Sequence, residues 1–152
     1  MGAWLNYRKL ASGVSIPSQM ERFWLRGKLA NWFPMFDQTV PAGTTMQGDF
    51  TAQGTLHIVA LLGSLTAFNS EFARRIPVTI GVATVQFYDA GKQLPFSSQP
   101  LNFENQLGNA QHPFWLRSPY VMQPNTHIKV QVQNLTTDET IIAQVTAFGY
   151  QD

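Results

Sequence analysis

Apolar and polar residues alternate along much of the chain, which is the pattern of β-strands that bury one face. The pattern is clearest in HIKVQVQ (127–133), where apolar residues occupy the even positions and polar residues the odd ones. Residues 141–150 repeat it, with an inward row formed by Ile141, Ala143, Val145 and Ala147. The polar turn NLTTDET (134–140) separates the two segments, so we expect them to pair as a hairpin.

Two further segments have strand patterns of a different kind. TLHIVALLGSL (55–65) is apolar on both sides, which predicts a central or covered strand. Its two predicted faces are Leu56, Ile58, Ala60 and Leu62 on one side and Val59 and Leu61 on the other. PFWLRSPYVM (113–122) contains Pro119, which predicts an edge strand or a loop.

The segment VTIGVATVQFY (78–88) changes the phase of its apolar residues halfway along. Because a shift of one residue turns every following side chain to the other face, we predict a β-bulge near Ala83 and Thr84. DAGK (89–92) then predicts a hairpin turn that leads into QLPF (93–96).

Helical patterns are few. SQMERFWLRGKLANWF (18–33) begins with a serine and a glutamate at capping-box spacing, which predicts a helical segment. SLTAFNSEFARR (64–75) places Phe68 and Phe72 four residues apart, which predicts a helix or a helical turn.

Seven or eight short strands with turn signals between them and little helix predict an all-β protein. The expected architecture is an antiparallel β-sandwich or jelly roll with an extended, partly helical N-terminal arm. We place the basic, aromatic arm at residues 1–36 and the β-sandwich domain at residues 37–152.

The composition adds an unusually low charge. Charged residues make up 12% of the chain, about half of the usual ~25%. Uncharged surface is cheaper to desolvate, which suits a protein covered by partners and equally suits a stable extracellular module.

The chain has no cysteine, so disulfides and thiolate chemistry are excluded. We find neither the apolar core of a signal peptide nor a run of apolar residues that would predict a membrane span.

The charge is unevenly distributed. Residues 1–30 contain five basic residues and one acidic residue, for a net charge of +4, while the whole chain carries +1. Such an arm could bind nucleic acid or an acidic protein surface. Large apolar rings crowd the same segment, namely Trp4, Phe23, Trp24, Trp32 and Phe33. Rings at this density favour docking into protein over a phosphate track, with stacking on single-stranded bases as the minority alternative.

Catalytic signals are missing from the sequence. His57, His112 and His127 lie in separate segments without the spacing of metal ligands. The carboxylates are scattered, and nothing beyond their presence suggests that Glu104 and Asp89 form an acid pair. There is no nucleophile elbow and no phosphate-binding loop. We therefore predict no enzyme activity, no metal and no cofactor. The NLT sequon at 134–136 is expected to be unused.

Aromatic residues are the recurrent feature with binding potential. The predicted protein interface consists of arm residues, namely Trp4, Tyr7, Arg8, Lys9, Phe23, Trp24, Arg26, Trp32 and Phe33. Phe114, Trp115 and Tyr120 are candidate ligand-binding residues, and for Phe114 and Trp115 a place in the core is an equal alternative. If aromatic residues line a groove, a carbohydrate-binding module is the natural rival.

From residue 78 onwards, the chain resembles small virion proteins of tailed bacteriophages. The resemblance lies in the order of VQFYDAGKQL (85–94), NQLGNAQHPFWLRSPYVMQPNTHIKVQVQNLT (105–136) and QVTAFGYQD (144–152), which are turn and strand signatures. It implies a jelly-roll or β-sandwich cement, decoration or collar protein, made in the cytoplasm of the bacterial host and located in the virion. The partners that it implies are major capsid or neck proteins and further copies of the chain.

The resulting expectation is a virion structural protein that acts by assembly. Its sandwich body would pack against other copies while the arm clamps a neighbour, so that weak contacts become strong through repetition. The alternative is a carbohydrate- or receptor-binding β-sandwich module of a phage tail. We expect no membrane partner, and nucleic acid remains the less favoured ligand.

Overall fold

The computed structural model describes residues 30–69, 74–77, 81–109 and 112–152. Most of the predicted arm, residues 1–29, therefore lies outside the described residues. The same holds for seven of the predicted interface residues, namely Trp4, Tyr7, Arg8, Lys9, Phe23, Trp24 and Arg26.

The described chain is almost entirely β-structure, as predicted. The strands are β1 (Ala30–Val40), β2 (Thr45–Thr51), β3 (Leu56–Asn69), β4 (Arg74–Pro77), β5 (Ala83–Asp89), β6 (Leu94–Pro95), β7 (Leu101–Asn102), β8 (Phe114–Met122), β9 (His127–Asn134) and β10 (Thr140–Gln151). One short helix, α1 (Phe103–Gln106), precedes β8. Among the described residues, no helix is long and apolar enough to span a bilayer.

The strands form two antiparallel sheets of a β-sandwich. Sheet A has the order β1-β10-β3-β4, and β8 also pairs with β3. Sheet B has the order β2-β9-β5-β6, and β7 also pairs with β5. Strands that are distant in sequence are thus neighbours in space, since β1 pairs with β10 and β2 with β9.

The core lies between the sheets and includes the inward rows predicted for the segments that form β9 and β10. Ile141, Ala143, Val145 and Ala147 of β10 are 0% exposed, and so are Ile128, Val130 and Val132 of β9. The third row is Ala83, Val85 and Phe87 of β5, also at 0%. Each buried Val, Ile or Phe contributes about 1.5–3 kcal/mol. The alternation in sequence therefore identifies the buried faces correctly.

The predicted hairpin between 127–133 and 141–150 is wrong. β9 lies in sheet B and β10 in sheet A, so the turn between them crosses from one sheet to the other. Alternation shows that a strand buries one face, but it carries no information about which strand pairs with it.

Asn134 fixes this crossing. Its Nδ2 donates to the carbonyl oxygens of Val40, at 3.0 Å, and Glu139, at 2.8 Å. Its Oδ1 accepts from the amide of Thr136, at 2.9 Å, and from the Thr136 hydroxyl, at 2.7 Å. The side chain is 1% exposed. The asparagine of the NLT sequon is thus a structural residue whose amide is already engaged in the fold.

The predicted faces of β3 are wrong beyond Ile58. Phe148 of β10 pairs with Ala60 while Gly149 pairs with Ile58, so Val59 is an extra residue in a β-bulge. After this bulge the inward residues are Leu61, Leu65 and Ala67, instead of Ala60 and Leu62. The prediction of a central strand is confirmed, because β10 pairs with one edge of β3 and β4 and β8 with the other.

The bulge predicted near Ala83 and Thr84 does not occur within β5, and residues 78–80 of the same segment lie outside the described residues. β5 begins at Ala83 and pairs with β9 without a register shift as far as Asp89. The hairpin turn at 89–92 is confirmed, since β5 pairs with β6 through Tyr88–Pro95 and Asp89–Leu94. The edge position of the strand that contains Pro119 is also confirmed, because β8 pairs only with β3 among the described residues.

The helix predicted over 64–75 is wrong for its described part, because β3 continues to Asn69 and β4 begins at Arg74. Pairing with β10 overrides the local spacing of the two phenylalanines there. The other predicted helix, 18–33, is wrong at 30–33, which belong to β1. The same strand contains residues 30–36, so the expected boundary between arm and sandwich falls inside a paired strand.

Candidate interaction surfaces

An aromatic row crosses the outer face of sheet A. The register of the four strands places Trp32, Phe148, Ala60 and Trp115 side by side, from β1 through β10 and β3 to β8. We call these four residues the aromatic row. The ring centroids of Trp32 and Phe148 are 4.5 Å apart, and those of Trp115 and Phe148 are 6.2 Å apart with the rings nearly perpendicular, at 81°. Because Ala60 is small, the Trp115 ring reaches Phe148 across it.

The aromatic row is covered at its centre and open at one end. Ala60 is fully buried, whereas Trp32 is 53% exposed on the edge strand β1. The adjacent row is uncharged and consists of Pro34, Thr146 and Leu62. An exposed tryptophan bordered by uncharged residues is typical of the centre of a protein interface.

The structure separates the two predicted interface residues that it describes. Trp32 lies on the outer face of sheet A, but Phe33 packs against the core and contacts Phe50 at 6.4 Å between ring centroids. Phe33 and Phe50 line a cleft of about 200 Å³ together with Leu56. Consecutive residues of a strand point to opposite faces, so these two rings cannot form one contact surface.

The three candidate ligand-binding residues are not brought together either. Trp115 belongs to the aromatic row on the outer face, whereas Tyr120 packs against the core and reaches towards sheet B. Phe114 pairs with Leu61 at the end of β8 and is 46% exposed. Trp115 pairs with Ala60, which faces outwards, and Tyr120 pairs with Ile58, which faces the core, so the two aromatic side chains face opposite ways.

Tyr120 belongs to a polar link between the sheets. Its hydroxyl donates a hydrogen bond to Oδ2 of Asp89, a β5 residue that is 2% exposed. Asp89 Oδ1 accepts from the Lys92 amide at 3.0 Å, so this carboxylate also caps the turn that follows β5. Lys92 Nζ lies 3.9 Å from Asp89 Oδ2 and 4.0 Å above the Tyr120 ring. The sequence holds no signal for this link, because its partners lie 31 positions apart.

The ionisation states of Asp89 and Tyr120 in this link do not change near neutral pH. Burial alone would raise the pKa of the Asp89 carboxyl, but the hydrogen bonds from Tyr120 and the Lys92 amide, with the Lys92 charge, lower it overall. Burial raises the pKa of Tyr120 well above its ordinary value, and the bond to the Asp89 carboxylate adds to this rise. The carboxylate stays ionised and the phenol stays protonated, which suits a structural bridge between the sheets.

The histidines and the remaining acids have separate surroundings. His57 Nε2 lies 3.0 Å from Asp152 Oδ2, and its ring stacks on Tyr150 at 4.4 Å. Glu104 accepts a hydrogen bond from the Gly81 amide at 2.8 Å, so it and Asp89 are engaged with different partners. Across the described ranges, no three potential metal ligands lie close enough together to hold an ion.

Two neighbouring rows on the outer face of sheet B carry only amide and hydroxyl side chains, whereas the next row consists of Asp49, Lys129 and Tyr88. The register places Thr45, Gln133 and Thr84 in one row and Gln47, Gln131 and Gln86 in the next. We call these six residues the amide face. Part of it, with Pro100, lines a concavity of about 200 Å³. The polar outward row of 127–133 was visible in the sequence, but the matching rows of β2 and β5 required the register.

Comparison with known proteins adds no relative. No family model matches the chain, and no curated protein matches its sequence. The strand order and the two outer faces are therefore the features of the molecule that bear on its function.

Proposed function

We propose that this protein is a structural component of a tailed-bacteriophage virion, which binds major capsid or neck proteins and associates with copies of itself. The order in which its strands pair is the observation that carries this proposal. The protein would be made in the cytoplasm of the host bacterium and act in the particle as a cement, decoration or collar protein, without catalysing a reaction.

The strand pairs are nested. β1 pairs with β10, β2 with β9, β3 with β8 and β5 with β7. Successive pairs alternate between sheet A and sheet B, as they do when one long hairpin is rolled up. We infer from this that the sandwich is a jelly roll, an architecture that recurs in viral capsid proteins and in lectins.

The outer faces of the sheets suit association with other proteins. The aromatic row presents Trp32 at 53% exposure, and a tryptophan of this kind contributes strongly where it becomes buried. The row beside it and the amide face on sheet B carry no charge. Burying such surfaces requires little desolvation of ions, so repeated weak contacts add up in an assembly.

The basic, aromatic segment is followed in the sequence by β1, the strand that carries Trp32. Residues 1–29 directly precede β1, which is an edge strand of sheet A and carries Trp32. The sequence outside residues 1–30 has a net charge of −3, the complement of the +4 within them. Their basic and aromatic side chains are the groups that we propose to contact a neighbouring copy or a capsid protein.

Self-association can be measured on the purified full chain by size-exclusion chromatography with light scattering at two concentrations. We expect a defined oligomer, because closed symmetry is the rule for such assemblies. Trp32→Gln should weaken association by about 2 kcal/mol, or roughly 30-fold. Leu94→Gln, at an exposed apolar position of sheet B, is the matched control and should leave the oligomer intact. A monomer at both concentrations would contradict self-association.

A further inference from the structure

We propose that the concave part of the amide face binds a neutral saccharide. Thr45 of β2, Gln131 and Gln133 of β9, and Thr84 and Gln86 of β5 line this concavity, with Pro100 at its side. Because the three strands are neighbours in sheet B, the five polar side chains converge from a rigid surface. This site does not depend on assembly into a virion.

Several of these groups have hydrogen-bonding capacity to spare. The Thr84 Oγ1 atom is buried and has no hydrogen-bond partner among the described residues. Such an atom is unusual, since most buried polar atoms in folded proteins are paired. The side chains of Gln131 and Gln133 make no hydrogen bond to any other residue that the structure describes. A ligand with several hydroxyls would satisfy these groups together.

The chemistry of the lining selects the class of ligand. Each glutamine offers two N–H donors and one carbonyl acceptor, and each threonine hydroxyl both donates and accepts. A sugar hydroxyl has the same dual character. No charged side chain lines the concavity, so an ion would lose its hydration without gaining a counter-charge. Lys129 of β9 and Asp49 of β2 do not line the concavity, and they lie opposite each other in the register of these two strands.

The size and the wall of the concavity fit a single sugar ring. Its volume is about 200 Å³, below the ~300–1,000 Å³ of sites for drug-sized ligands. The loop that leads to Pro100 is held in place, because Gln86 Nε2 donates to the Ser97 carbonyl at 3.3 Å and the Ser97 hydroxyl to the Gln99 carbonyl at 2.7 Å. Pro100 therefore offers an anchored apolar wall for the C–H face of a ring.

The test is a titration of the ¹⁵N-labelled full chain, followed by NMR of the glutamine side-chain amides. The panel consists of D-glucose, D-galactose, D-mannose and N-acetyl-D-glucosamine, with sialic acid as the charged comparison. At least one neutral sugar should shift the Gln131 and Gln133 signals, while sialic acid should shift them less.

The decisive variant is Thr84→Val, which removes the hydroxyl and keeps the shape and strand preference of the residue. It should weaken binding about tenfold, the effect of losing one hydrogen bond to a desolvated group. Thr66→Val, on the outer face of sheet A, is the matched control and should bind as the unaltered chain does. Gln133→Ala gives a second reading should Thr84→Val disturb the fold.

Three results would overturn the proposal. The first is the absence of any shift with all four neutral sugars, and the second is a response to sialic acid alone. The third is equal affinity in Thr84→Val, Gln133→Ala and the unaltered chain. Light scattering on the same samples reports self-association separately, so a failure of sugar binding does not count against the assembly proposal.

Discussion

The sequence does not determine which of two neighbouring aromatic residues in β1 is exposed. Trp32 and Phe33 look alike in the sequence, as adjacent rings in an aromatic segment, yet one is exposed on sheet A and the other packs against the core. Which of two neighbours points inwards depends on the register of β1 against β10, and that register involves residues more than a hundred positions away. The exposed ring could therefore not be identified from the local sequence.

Tyr120 is a residue whose role follows from one atom, its hydroxyl oxygen. Tyr120→Phe removes the hydrogen bond to Asp89 and leaves a buried carboxylate with fewer partners. We expect a loss of about 1–3 kcal/mol in the free energy of unfolding at neutral pH. Urea denaturation measures this directly. Tyr88→Phe, on the outer face of sheet B, is the matched control and should change stability by less than about 0.5 kcal/mol.

The pH dependence of this loss has a definite sign. The pKa of Asp89 is lower in the folded chain than in the unfolded chain, so its ionisation stabilises the fold above the unfolded value of ~3.9. That stabilisation disappears as the pH falls through the folded pKa. The difference between Tyr120→Phe and the unaltered chain should therefore shrink in acid. A difference that stays constant from neutral pH to about pH 3 would show that the ionised carboxylate is not what Tyr120 stabilises.

At the scale of elements, the sequence predicts strands and their buried faces better than their neighbours. The inward rows of β9 and β10 follow from alternation alone, because a half-buried strand needs it whatever its partner. The pairing of β9 with β10 was wrong because a polar turn can either close a hairpin or cross between sheets. Here the hydrogen bonds of Asn134 to Val40 and Glu139 accompany the crossing.

The bulge in β3 shows another limit of local patterns. When both faces of a strand are apolar, the sequence does not show which residues point to which face. The extra residue, Val59, therefore cannot be recognised from the sequence. The bulge matters for the aromatic row, because it determines that Ala60 faces outwards between Phe148 and Trp115.

Substitution of Gly149 tests how closely β3 and β10 approach each other at this bulge. A Cβ atom at Gly149 would lie 2.0 Å from the His57 carbonyl oxygen, so any side chain forces β3 and β10 apart. Gly149→Ala should destabilise the fold by about 3 kcal/mol, the upper end for overpacking, because the clash is with backbone atoms and not with a flexible side chain. Gly43→Ala is the comparison, since Gly43 has a φ of +67° and open surroundings. It should cost only the ~1–2 kcal/mol of a left-handed backbone conformation. Equal losses in urea denaturation would contradict the steric explanation.

At the scale of the whole molecule, the strand order explains why composition and pattern reached the fold class but not the topology. An all-β sandwich follows from short alternating segments separated by turns. The nested pairing depends instead on contacts between the two ends of the chain, such as Ala30 with Tyr150. The same contacts make β1 part of the sandwich, although the sequence suggested that its first seven residues belonged to the arm.

This position of β1 determines how the proposed arm should be removed. A chain of residues 30–152 keeps every described strand, so we expect it to fold and to unfold cooperatively. A chain of residues 34–152 loses the pairing of Ala30–Phe33 with β10, including the contact between Trp32 and Phe148, and should be less stable. Urea denaturation separates these two effects.

If the arm clamps a neighbour, light scattering should show weaker association for the 30–152 chain, although its fold is intact. Unchanged association of that chain would assign assembly to the faces of the sandwich alone, whereas loss only in the 34–152 chain would point to the edge of β1.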